Sequence, residues 1–167
     1  MNTKTHPDRV LAIATTNHGV AFVVFESMLS PFDWGTVRIS GPGKNAKALQ
    51  RLEIIVKHCH PEAIIVMDSA RHCTRIRALN LAIRHLAETA QLDVHIYDRA
   101  AIRRCFAPAG ARTRVEIAHA IARMIPAFSH RLPPVRKLWM SEDMRQSLFD
   151  AAALGLTFYE DAEKDQR

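Results

Sequence analysis

The chain has 167 residues, 48% of them hydrophobic, which is enough for one domain with an ordinary core. No stretch is long and apolar enough to span a bilayer, so an integral membrane role is not expected. The formal net charge of +6 points to an anionic partner.

Val10 to Thr16 is apolar and partly β-branched and reads as a buried strand. His18-Gly19 makes a turn into a second strand, Val20 to Glu26, paired with the first as a hairpin. Pro31 breaks the pattern, and Trp34 to Ser40 alternates as a third strand. Gly41 to Lys44, "GPGK", is a loop whose glycine spacing is wrong for a phosphate-binding P-loop. From Asn45 to His58 apolar residues recur every three or four positions, the mark of an amphipathic helix that Pro61 stops. Lys57 to Pro61, "KHCHP", lacks the ligand spacing of a zinc site.

Glu62 to Asp68, "EAIIVMD", suits a central strand buried on both faces. A helix from Thr74 to Ala90 and a fifth strand from Leu92 to Asp98 follow. A short helix near Ala100 to Cys105 leads into the loop "APAGA". Thr113 and Glu116 form a capping-box pair that opens a helix ending before Pro126. After a loop-like stretch, Ser141 is the expected N-cap of a last helix with acids in its first turn. The order predicts an α/β fold with a mixed five-stranded sheet, three antiparallel strands first, and helices on its faces. One domain is expected over 8–160, with flexible tails at 1–7 and 161–167.

Arginines are unevenly spread. Arg71, Arg75, Arg77 and Arg84 lie in a stretch without a carboxylate, as do Arg99, Arg103, Arg104, Arg112 and Arg114. Such runs suit a surface that follows a phosphate backbone. Phe106, in a loop between arginines, is a candidate wedge for stacking on unpaired bases; the alternative is a core anchor for its loop. The three cysteines, Cys59, Cys73 and Cys105, are too few and too scattered for a disulfide framework. The N-terminus has no hydrophobic signal region, so a cytoplasmic location is expected, nucleoid-associated when DNA is bound.

Asp68 closes a buried strand, where sites in open α/β sheets are built, although it also suits a turn cap. Asp150 precedes "AAALGL" at the rim of the core and needs a partner or a cation. Asp143 lies seven residues earlier, near the same helix face but roughly 10 Å away along the axis. Carboxylates so placed could hold Mg²⁺ or Mn²⁺, two ions per site, for phosphodiester hydrolysis, but at least one strong ligand is still needed.

"FDWG" (Phe32 to Gly35) and "WMSEDMRQSLFDAAALGLTFY" (Trp139 to Tyr159) give the chain a specific likeness. It resembles the RuvC-like Holliday-junction resolvases of the RNase H-like superfamily, in particular a bacterial branch with these motifs. The resemblance covers about Val10 to Tyr159. It implies a structure-selective endonuclease that nicks four-way DNA junctions symmetrically with two metal ions and acts as a homodimer. It assigns Asp68 and Asp150 as metal ligands, Asp143 as a further acid and Arg114 as a basic residue facing the scissile phosphate.

The family's first-strand aspartate is replaced by Ala14, and Gln146 and Ser147 stand where a second helix acid is expected. Either a natural descendant lost the chemistry and kept DNA binding, or one ligand was replaced deliberately to trap uncut substrate. With Asp68, Asp143, Asp150 and Arg114 all present, the sequence favours the second. A non-catalytic DNA-binding module, and an RNase H-like nuclease acting on RNA or hybrids, are the alternatives.

Overall fold

The structure is a computed structural model that describes residues 7–137, 139–140 and 143–167. β1 (Val10–Thr16), β2 (Gly19–Ser27) and β3 (Ser30–Arg38) form an antiparallel meander. α1 (Lys44–Cys59) leads to β4 (Ala63–Met67), and α2 (Thr74–Thr89) leads to β5 (Asp93–Tyr97). Both β4 and β5 join in parallel, giving one sheet of order β3-β2-β1-β4-β5. α3 (Arg99–Phe106), α4 (Arg114–Met124) and the long α5 (Met144–Lys164) complete the chain. The mixed sheet and its strand order agree with the sequence reading.

Gly19, the first residue of β2, lies too close to β3 for a side chain. A Cβ there would sit 1.9 Å from the Val37 carbonyl oxygen, and its φ of 151° is one that side-chain-bearing residues rarely adopt. β3 starts earlier than expected, at Ser30. Pro31 is tolerated because β3 is an edge strand, and the register with β2 slips on both sides of Phe25. α1 stops where His60 turns left-handed, φ 49°, immediately before Pro61.

Side chains alternate across the sheet and make two cores. Leu11, Ile13, Ile64 and Val66 face α1 and α2. Val10, Ala12, Ala14, Ala63 and Ile65 face α3, α4 and α5, with Met67 packed against the same cluster. α5 lies on this second face; Met144, Gln146 to Phe149 and Ala151 to Tyr159 are buried, while Arg145 is exposed. Its burial explains why "AAALGL" consists of small and apolar residues. α5 continues to Lys164, past the expected domain edge at 160.

Ser141, the expected N-cap of α5, lies outside the described residues. The cap is Asp143, whose side chain accepts the Arg145 N–H. Phe106 is not a stacking wedge: it is 3% exposed and anchors the α3 end in the α5-side core. Its amphipathic position on a short helix, with the arginines on the outer face, drives it inward. Trp34 likewise packs edge-to-face on Phe128, with ring centroids 5.2 Å apart.

Candidate functional site

The parallel register of β1 and β4 aligns Ile13 with Val66, so the next residues at the strand ends are Ala14 and Met67. Both belong to the face that α5 covers. Asn80 of α2 fixes the β4 end, donating from Nδ2 to the Met67 carbonyl at 3.2 Å. Asp150 of α5 completes the group. Ala14, Met67, His72, Arg114 and Asp150 line a cavity of about 170 Å³ between these ends.

Asp150 is not a free ligand. Arg114 Nε donates to its Oδ1 at 3.2 Å, and Arg114 Nη2 donates to Oδ2 in a close ion pair. Gln146 Nε2 reaches the same Oδ1 at 3.4 Å from one turn earlier in α5. Arg114 is aimed by the start of α4. Thr113 Oγ1 accepts the Glu116 N–H, and Glu116 Oε2 accepts the N–H groups of Arg112 and Thr113. This capping box, expected from sequence, fixes the first turn from which Arg114 projects. The Asp150 side chain is 17% exposed, so its charge needs this guanidinium.

Asp68 does not join the group. It is exposed, and its Oδ1 accepts the Ala70 N–H at 2.9 Å in a local turn. Strand alternation puts it on the α1–α2 side, one residue out of step with Ala14. Asp143 is also elsewhere: Arg145 donates to it from Nε at 3.0 Å and from Nη2 at 2.7 Å. Those bonds hold the Asp143 carboxyl below its usual range. Ala14 is therefore not a single lesion in an otherwise intact carboxylate cluster. Met67 occupies the β4 position on its face, and Ser147, 1% exposed, lies one turn before Asp150.

A pair of divalent cations needs several oxygen ligands converging on one point. Among the described residues no three His, Cys, Asp or Glu side chains converge so. The cavity offers a methyl, a thioether, the His72 imidazole and one carboxylate already bound on both oxygens. Thioethers are poor ligands for hard cations. The residues do not fit the two Mg²⁺ or Mn²⁺ ions that the resemblance implies.

Of the arginines expected to meet DNA, Arg71, Arg77, Arg99, Arg103, Arg104 and Arg112 are exposed. Arg75 is used within the fold. It donates to Asn45 Oδ1 at 3.1 Å and to the Thr16 carbonyl at 3.0 Å, tying the β1 end to α1 and α2. Sequence reasoning missed Met67 and marked Gln146 only as standing where an acid was expected. Both faces of β4 are apolar, so hydrophobicity carried no signal for which residue shares the Ala14 side.

No protein-family model matches the sequence, and no curated protein matches it. Solved structures do match in fold. Thermus thermophilus RuvC in complex with a Holliday junction substrate aligns over 95% of this chain and 97% of its own, with a TM-score of 0.69 at 16% identity. A second Thermus thermophilus RuvC structure gives a TM-score of 0.66 at 17% identity, covering 94% and 96%. The fowlpox virus Holliday junction resolvase gives 0.55 at 12% identity, covering 92% and 98%. The chain has the RuvC-like α/β fold, the fold of junction-resolving nucleases.

Proposed function

We propose that this protein holds four-way DNA junctions on a resolvase fold and does not cut them. The observation that carries the reading is the residue set at the β1 and β4 ends: Ala14, Met67, and an Asp150 carboxylate taken by Arg114. Two apolar residues in neighbouring strands, with Ser147 behind them, favour natural loss of the chemistry over a single deliberate replacement. The DNA half of the reading rests on the fold shared with a RuvC bound to a junction, on the +6 charge, and on exposed arginines in two carboxylate-free runs.

A four-way junction is two-fold symmetric, so a homodimer presents one arginine surface to each half. No helix among the described residues is long and apolar enough to cross a membrane, and no membrane role is proposed.

The test is competitive fluorescence anisotropy with a synthetic four-way junction and a linear duplex of the same composition. The junction should bind at least about tenfold tighter, and its affinity should fall steeply with salt. Equal affinity for the two DNAs, or no binding, would overturn the reading.

A further inference from the structure

Beside the Ala14 cavity lies a second one, about 320 Å³ in volume, between α3 and the start of α4. Arg99, Arg103, Arg112 and Arg114 line it, with Met67 and Asp150 at the boundary between the two cavities. Four guanidinium groups thus face one carboxylate. Arg99 and Arg114 line both cavities. Arg99 and Arg103 make no ion pair with any described residue. Among the described residues, no carboxylate pairs directly with either guanidinium.

The walls are pre-set. Asp98 caps α3 by accepting the Ala101 N–H at 2.7 Å, which places Arg99 in the first turn. Arg103 follows four residues later, on the same face of α3. The capping box holds Arg112 and Arg114 across the gap. The capping box already takes the backbone N–H groups of Arg112, Thr113 and Glu116, so the arginine side chains are the charged donors that face the cavity. Guanidinium forks on an apolar floor match a phosphate, whose oxygens accept paired N–H bonds.

Resting on the reading of the protein as a junction holder, we infer that this cavity takes one backbone phosphate of the DNA and holds it without a divalent cation. The guanidiniums of Arg99 and Arg103 supply the positive charge that metal ions supply where carboxylates converge. The strand that would be cut by a nuclease is here gripped at the same end of the sheet.

Two assays in EDTA test this, each on the unaltered chain, on Arg99→Ala/Arg103→Ala, and on Arg51→Ala/Lys57→Ala. The last pair removes the same charge from exposed positions on α1, across the sheet. The first assay is the thermal melt in inorganic phosphate against chloride at matched ionic strength. Phosphate should raise the midpoint of the unaltered chain and the α1 variant, and leave the α3 variant unmoved. The second is junction affinity against salt. The α3 variant should lose about tenfold in affinity and about one unit of slope, for one phosphate released; the α1 variant should keep its slope.

A phosphate response that survives in the α3 variant, or that is absent from the unaltered chain, would overturn the inference. So would junction binding that requires added Mg²⁺. A phosphate response confined to the intact pocket, without any junction binding, would leave the pocket standing and refute the junction-holding function instead.

Discussion

Carboxylates placed at the strand ends should make stability depend on a divalent cation. Ala14→Asp with Met67→Glu places two acids on adjacent strands beside Asp150, on the face α5 covers. Ala14 is 5% exposed but borders the 170 Å³ cavity, so the added atoms have room and the cost is electrostatic. Neighbouring strands lie about 4.8 Å apart. Two unit charges at about 5 Å repel by about 3 kcal/mol at an effective dielectric of 20. For a domain of this size that lowers the melting midpoint by roughly 6–12 °C in EDTA. A bound cation at a hundredfold excess over its Kd returns about 2.7 kcal/mol, close to the whole loss. Calorimetric melts in EDTA, Mg²⁺ and Mn²⁺ read both numbers. The double variant should melt low in EDTA and recover in Mn²⁺, while the unaltered chain should be indifferent. An unaltered chain that gains as much from Mn²⁺ as the variant would refute the argument, because it would mean that ligands already converge.

Gly155 of α5 touches the ring of Phe25, and a Cβ there would lie 2.3 Å from its Cε2. Gly155→Ala should therefore destabilise by about 1–2 kcal/mol in urea titration, overpacking outweighing the roughly 1 kcal/mol gain in helix propensity. His95 is half-buried against Phe158, and burial lowers its pKa from 6.5 despite the opposing pull of Asp93. The unfolded chain then binds the proton more readily, so stability holds above pH 6.5 and is lost as pH falls below it towards the folded value. His95→Gln should flatten that part of the stability profile in urea melts. Phe106→Ala should cost about 3–4 kcal/mol as a core truncation, whereas Phe106→Leu should keep junction affinity, as fits a buried ring. Loss of junction binding in a stably folded Phe106→Leu protein would return that ring to the DNA.

Much of the fold can be read along the chain because its signals are local. Apolar, β-branched runs mark β1 and β2, alternation marks β3, the three-to-four spacing marks α1, and Thr113 with Glu116 marks the start of α4. The site was harder, because its residues meet through parity. In β4 every position from Ala63 to Val66 is buried, so the pattern does not reveal which side Met67 or Asp68 takes. Only the parallel register with β1 decides it, and that is a tertiary fact. Asp68 drew attention for its chemistry and Met67 did not, yet Met67 holds the position on the Ala14 side. Arg75 misled similarly, since a basic residue at a helix start reads the same whether it meets phosphate or, as here, the Thr16 carbonyl. By contrast, Asp150 and Arg114 were both marked in advance, and the structure joins them into one ion pair.

The central claim is a junction held but uncut for want of converging carboxylates. Its most direct test is incubation of the chain, and of its Ala14→Asp variant, with an end-labelled four-way junction in Mg²⁺ and in Mn²⁺, read on a denaturing gel. Intact strands from both proteins, under conditions where the junction is bound, are the predicted result. Paired symmetric nicks from either protein would contradict it, because they would require a metal site that Met67, Ser147 and the Arg114–Asp150 pair do not supply.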